Sequence, residues 1–111
     1  MNYSVETILP FEKEFKKLYK KYPSLKSDLL LLINALQTNP FQGTALGNNF
    51  YKIRLSIQSK NKGKIGGARI ITFVKVVQNK VFLAAIYDKS NQTNISKKEL
   101  EWLTQFILKL P

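Results

Sequence analysis

The sequence predicts an α+β fold in which helices pack on a small antiparallel sheet, in the element order β-α-α-β-β-β-α. Three observations indicate this class: apolar residues at helical spacing within 11–36, alternating apolar residues within 50–87, and a helix-start motif at 96–99. The 111 residues can bury one small core, so we expect a single domain over residues 1–111.

Residues 2–39 predict one strand followed by a helical hairpin. Residues 2–8 alternate weakly between apolar and polar, which favours a short first strand. Pro10 suits the first turn of a helix, and Pro23 ends that helix. Ser24 is a candidate N-cap for a second helix with the same apolar spacing. Because few residues join the two helices, they should pack antiparallel, and we assign them no chemistry.

Residues 40–49 are predicted to be a connector, and three strands joined by short turns should follow as an antiparallel meander. In the first of these strands Ile53 and Leu55 alternate with Lys52 and Arg54, so the two cations should lie side by side on one face. We expect the helices to cover one face of the sheet and to leave the other face available.

The last predicted element is a helix whose start is specified by local sequence. Residues 96–99 read Ser-Lys-Lys-Glu, which is a capping box. Ile95 before the motif and Leu100 within the helix can form the accompanying hydrophobic staple. Apolar residues then recur at helical spacing as far as Leu110.

The chain carries a large positive charge, and the charge is unevenly placed. Its 18 basic and 7 acidic residues give a net charge of +11. Asp88 is the only acidic residue between Lys52 and Lys89. A concentrated excess of this kind favours an anionic partner, which is nucleic acid, an acidic protein or a membrane surface. A phosphate backbone is the simplest match to cations that line one face of a sheet.

The sequence contains no histidine and no cysteine. The usual general base and the usual transition-metal ligands are therefore absent, and we expect neither a metal nor another cofactor. No stretch approaches the about 20 apolar residues of a membrane span, and the N-terminus lacks the pattern of a signal peptide. We accordingly expect a cytoplasmic protein with no membrane partner.

Both arginines of the chain, Arg54 and Arg69, lie in the predicted strands. Arginine can bind phosphate through two parallel hydrogen bonds, although ordinary surface charge is an equal alternative for these residues and for Lys52. Tyr87 and Lys89 end the last strand and can supply acid–base groups if nearby cations lower the pKa of the phenol. Core packing is the alternative for Tyr87.

A glycine-containing basic loop separates the first two strands of the meander. It matches neither the Walker pattern nor the dinucleotide-binding fingerprint. Its lysines either stay solvated or bind RNA phosphates as a basic arm. The candidate RNA-binding residues in this loop are Lys60, Lys62 and Lys64.

Three motifs together resemble the RelE/ParE superfamily, which comprises toxins of bacterial type II toxin–antitoxin systems, and its RelE/HigB-like branch in particular. They are Tyr-Lys-Ile-Arg at 51–54, Gly-Gly-Ala-Arg-Ile-Ile at 66–71 and Ile-Tyr-Asp-Lys-Ser at 86–90. The similarity covers nearly the whole chain. It implies a RelE-like fold, a cognate antitoxin, and a metal-independent endoribonuclease that cleaves mRNA in the ribosomal A site and inhibits translation.

The resemblance also implies roles for individual residues. Lys52 and Arg54 would be the basic pair of the family's second strand, Arg69 would hold the scissile phosphate, and Tyr87 or Lys89 would be the acid–base group. The RNA 2′-hydroxyl would attack, leaving a 2′,3′-cyclic phosphate. A ParE-like DNA gyrase poison without nuclease activity is the alternative, because the superfamily shares one fold. A noncatalytic RNA-binding module ranks behind both.

Overall fold

The structure, a computed structural model, describes residues 2–60 and 66–110. Mixed helices and strands follow one another in the predicted order, with one additional strand, and the α+β class is confirmed. Short 3-10 turns at Gln58–Lys60 and Val76–Gln78 lie in the connections. The elements are β1 (Ser4–Thr7), α1 (Leu9–Lys21), α2 (Leu25–Thr38), β2 (Thr44–Gly47), β3 (Phe50–Leu55), β4 (Ala68–Lys75), β5 (Lys80–Asp88) and α3 (Lys97–Leu108).

The five strands form one sheet in the order β1-β5-β4-β3-β2. β3, β4 and β5 make the predicted antiparallel meander. β1, however, pairs with β5 in the parallel direction, from Ser4 beside Lys80 to Thr7 beside Leu83. Alternation in a sequence carries no information about strand direction, and the long intervening chain supplies the crossover that parallel neighbours require.

β2 lies within residues 40–49, for which the sequence predicts a connector and no strand. It forms a hairpin with β3 in which Gly47 pairs with Phe50. The two residues between them, Asn48 and Asn49, both have positive φ, at 52° and 67°. Two positive φ values in a two-residue loop are typical of a type I′ turn, for which asparagine is well suited. The Asn-Asn pair was therefore a usable hairpin signal.

Both faces of the sheet are covered by helices. α1 and α2 contact β5, β1 and β3 on the face that carries Ile53 and Leu55. On the opposite face, Phe50 and Ile71 are also almost completely buried, and Phe50 lines a groove together with Leu100 of α3. The expectation of one open face is therefore wrong over this region, because α3 returns across it.

The helix starts follow local sequence to different degrees. Pro10 lies in the first turn of α1 as predicted. Ser24 occupies the N-cap position of α2, but its hydroxyl donates to Asp28 instead of capping the helix. At α3 the predicted capping box is present, since the Ser96 hydroxyl accepts from the Glu99 amide at 3.1 Å.

No helix within residues 2–60 and 66–110 has the length and apolarity needed to cross a bilayer.

Gly43 leads into β2, and both its backbone conformation and the lack of space for a side chain require glycine at this position. Its φ is +93°, and an added Cβ would meet the Lys52 carbonyl oxygen and come within 2.9 Å of the Ile53 side chain. We expect Gly43→Ala to lower the free energy of unfolding by on the order of 3 kcal/mol, because it adds steric overlap to a strained backbone.

The matched control for this prediction is Gly47→Ala. Gly47 has nearly the same φ, +92°, but nothing lies within 4 Å of an added Cβ. This variant should therefore lose only the conformational part, about 1–2 kcal/mol. Urea denaturation measures both variants, and equal losses would contradict a steric role for Gly43.

Candidate active site

The register of the meander places three predicted site residues in one row. Arg54 of β3 pairs with Arg69 of β4, and Arg69 pairs with Tyr87 of β5. Directly opposite residues on antiparallel strands project from the same face, with Cβ atoms about 4.5–5.5 Å apart. We call Arg54, Arg69 and Tyr87 the arginine–tyrosine row. The structure thus brings together side chains that lie far apart in the sequence.

The two arginines of the row differ in exposure. Arg54 is exposed and forms no ion pair with any residue that the structure describes. Arg69 is only 4% exposed, and its Nη1 donates to the carbonyl of Ala68 at 3.1 Å. Like charges directly opposite each other on a sheet repel. Of the two guanidinium groups, that of Arg54 is the one exposed to an anion, and arginine can bind phosphate through two parallel hydrogen bonds.

Lys52 lies two positions before Arg54 on the same face of β3. Its Nζ donates to the side-chain oxygen of Asn94 at 3.2 Å, which ties β3 to the segment preceding α3. Lys89 is half-buried just after β5, and its backbone amide donates to the carbonyl of Gly67 at 3.1 Å. Asn94 was not a sequence candidate, since an asparagine in a polar loop gives no signal of its partner.

Tyr87 is 8% exposed, and its hydroxyl is buried without a hydrogen-bond partner among the described residues. Burial raises the pKa of this phenol, Arg69 acts to lower it, and Glu99 adds to the increase. The net pKa shift is upward. Arg69 does act in the expected direction, but desolvation outweighs it. Tyr87 therefore keeps its proton at neutral pH.

Lys60 lies in a different environment from the one predicted for a loop lysine. Its ammonium is buried and donates to Asp88 Oδ1 at 2.6 Å, and the side chains are 7% and 1% exposed. This placement points the charge into the protein, which does not suit a contact with RNA. Lys62 and Lys64 lie outside the described residues.

Asp88 is the centre of a buried polar cluster. Besides Lys60, its carboxylate accepts from the Tyr22 hydroxyl at 2.9 Å and from the amide and hydroxyl of Ser90 at 3.0 and 2.7 Å. Burial acts to raise the pKa of Asp88, but the hydrogen bonds from Lys60, Ser90 and Tyr22 outweigh it and hold the pKa well below its usual range. Asp88 is therefore ionised at neutral pH.

The remaining acidic residues do not form a second centre. Within residues 2–60 and 66–110, no group of three or more carboxylates lies close enough together to hold a metal ion. On this face Arg54 is the exposed cation of the row, and Lys52 and Lys89 are half-buried beside it. The chemistry of the site is consequently that of cations and a protonated phenol.

Comparisons with known proteins identify the family of this chain. The family described as the RelE toxin of the RelE/RelB toxin–antitoxin system matches residues 11–109. The chain belongs to the RelE toxin family. It is thus the toxin component of a toxin–antitoxin pair, with an antitoxin as its partner. This membership favours a function in ribosome-dependent mRNA cleavage, and it does not favour the gyrase-poison alternative.

Two solved RelE structures share the fold of this chain although their sequence identity to it is low. A double mutant of Escherichia coli toxin RelE in the free state is 17% identical, with a TM-score of 0.64 over 96% of this chain and 99% of that chain. The isolated Escherichia coli RelE toxin in its P21 form is 19% identical, with a TM-score of 0.60 over 94% and 98% of the respective chains. No curated protein matches this RelE-family toxin by sequence comparison.

The raised pKa of Tyr87 predicts a loss of stability at alkaline pH. A folded-state pKa above the unfolded value of about 10 stabilises the fold below pH 10, and this contribution disappears as the pH rises through the folded pKa. We expect Tyr87→Phe to unfold at a similar urea concentration at pH 7 and to lose less stability than the wild type above pH 10. Equal alkaline losses in both proteins would contradict this assignment.

The depressed pKa of Asp88 predicts the opposite pH dependence. Its contribution to stability is present above the unfolded pKa of about 3.9 and is lost as the pH falls below that value. Asp88→Asn should be less stable than the wild type at pH 7, and the difference should shrink towards pH 3. Urea midpoints across this range measure the effect, and a difference that stays constant with pH would refute it.

Proposed function

We propose that this toxin is a metal-independent endoribonuclease that cleaves mRNA in the ribosomal A site, with residues 1–111 acting as one toxin domain. Membership of the RelE family supports the reaction class. The observation that carries the site assignment is the register that aligns Arg54 with Arg69 and Arg69 with Tyr87. The proposed partners are the ribosome and mRNA, which places the protein in the cytoplasm.

The proposed reaction is a transesterification at one phosphodiester. The 2′-oxygen forms a bond to phosphorus and the bond to the 5′-oxygen breaks, leaving a 2′,3′-cyclic phosphate and a free 5′-hydroxyl. Negative charge grows on the phosphoryl oxygens in the transition state. Arg54 and Arg69 would neutralise this charge, and such preorganised electrostatic stabilisation is usually the largest single contribution to catalysis.

The proton transfers follow from the state of each side chain. Because burial raises the pKa of Tyr87, its phenol is better suited to donate a hydrogen bond to the phosphate or leaving oxygen than to accept the 2′-hydroxyl proton. The ammonium groups of Lys52 and Lys89, on either side of the row, are then the candidates for protonating the departing 5′-oxygen, and the 2′-hydroxyl proton passes to water. This assignment replaces the sequence-based hypothesis of Tyr87 as the general base.

The members of the row differ in how accessible they are to RNA. Arg54 is exposed and can meet RNA directly, whereas Arg69 and Tyr87 are nearly buried. Contact of a phosphate with the two buried members therefore requires a local rearrangement. The ribosome would supply the geometry of the bound mRNA, because holding reactants in the right orientation can contribute a large part of a rate enhancement. We therefore expect only weak action on free RNA.

The donor chemistry of the site supports a reaction without a metal. The chain has no histidine or cysteine, and the row presents cations to the phosphate. The arginines thus take the charge-neutralising role that a divalent cation performs in other nucleases.

Cleavage of mRNA on programmed ribosomes tests the proposal. Arg54→Ala removes an exposed cation, and Arg69→Lys keeps the buried charge but loses the planar guanidinium. We expect each to lower the cleavage rate about 100-fold or more, because each removes a group that stabilises the transition state. Mapping the transcript ends should give cuts that need both the ribosome and Arg69.

Lys26→Ala is the matched control, because Lys26 is an exposed cation on α2. It should cleave at nearly the wild-type rate, and circular dichroism should show that all three variants remain folded. Wild-type protein that stays toxic in cells but makes no cuts would overturn the nuclease assignment and point to a protein target such as gyrase.

A further inference from the structure

We propose that the buried ion pair between Lys60 and Asp88 positions the arginine–tyrosine row, so that both are positioning residues and Lys60 is not an RNA ligand. The expected effect on catalysis rests on the proposed function. The contacts of the ion pair are observed in the structure and do not depend on that function.

The pair holds three separate segments at one carboxylate. Lys60 ends the short turn that follows β3, Tyr22 follows α1, and Ser90 follows β5. Each donates a hydrogen bond to Asp88, at 2.6 Å from Lys60, 2.9 Å from Tyr22 and 2.7 Å from the Ser90 hydroxyl. The Lys60 ammonium also lies 5.3 Å from the centre of the Tyr22 ring, a cation–π distance. The Lys60 ammonium thus contacts both Asp88 and Tyr22 inside the protein.

Asp88 is directly connected to the row through the sheet. It follows Tyr87 in β5 and pairs with Ala68, the residue before Arg69. Successive side chains of a strand point to opposite faces, so an Asp88 carboxylate held on the side of α1 keeps Tyr87 on the side of the row. The amide of Lys89 continues the ladder to Gly67 at 3.1 Å. Anchoring Asp88 therefore fixes the end of β5 against the start of β4.

Lys60 makes the same connection to β3. It lies a few residues after Arg54, and its ion pair with Asp88 holds the segment that follows β3 against the end of β5. Small displacements within a catalytic constellation can cost about 100-fold in rate. Loss of the pair should consequently change the alignment of Arg54 with Arg69 even though neither member of the pair touches the substrate.

RNA binding tests whether Lys60 is a ligand, independently of cleavage. The probe is a single-stranded oligonucleotide with 2′-O-methyl groups, which cannot be cut through its 2′-oxygen. A lysine that contacts phosphate contributes about 0.7 to the slope of log affinity against log salt concentration. We expect Lys60→Met to leave this slope unchanged and Arg54→Met, the positive control, to reduce it. A reduced slope for Lys60→Met would overturn the proposal.

Cleavage kinetics on programmed ribosomes test the positioning role. Lys60→Met and Asp88→Asn should each lower kcat by roughly 10- to 100-fold at an unchanged KM, because alignment and not ribosome binding is affected. The double variant should have a kcat no lower than the worse single variant, since both changes break one interaction. Lys26→Met should match the wild type.

The double variant also separates positioning from stability. Asp88→Asn alone leaves a buried cation without its counterion, whereas removing both charges of a buried pair is often well tolerated. We expect the double variant to regain much of the unfolding temperature that Asp88→Asn loses, while its kcat stays low. Recovery of kcat together with stability would show a purely structural pair and overturn the proposal. If the wild type does not cleave, the proposed function fails, and the salt slope of Lys60→Met still decides whether Lys60 binds RNA.

Discussion

The antiparallel register of β3, β4 and β5 is the constraint on which the site depends. It sets Arg54 opposite Arg69 and Arg69 opposite Tyr87, although these residues come from three separate strands. A shift of one residue in either pairing would move a member of the row to the opposite face of the sheet, which α1 and α2 cover. The apolar side chains of that face, such as Ile53 and Ile70, are buried under α1 and α2 and therefore hold the register.

Burial then gives different properties to groups that look alike in the sequence. Arg54 stays exposed while Arg69 is enclosed, and Lys60 is enclosed beside Asp88. Desolvation penalises a charge unless a partner compensates, so a buried cation in this toxin marks a specific contact. The same effect keeps the phenol of Tyr87 protonated. The basic residues of this toxin thus include both exposed cations such as Arg54 and buried cations such as Lys60.

The RelE fold and the chemistry of the site are separate conclusions. Structures that share less than a fifth of their residues with this chain superimpose over nearly its whole length. That agreement concerns backbone arrangement, and a fold by itself does not define a reaction. The phosphate chemistry that we propose rests instead on the residues of the row, their charges and their exposure.

The sequence by itself determined the α+β class, the helical hairpin, the meander and the capping box of α3, because alternation, helical spacing and cap residues are local signals. The motif resemblance likewise identified the family. Only the tertiary structure decided that β1 runs parallel to β5, that α3 covers the second face, and that Lys60 turns inward to Asp88. Strand direction, the environment that shifts a pKa and the partner of a charge arise from contacts between distant segments, which no local pattern encodes.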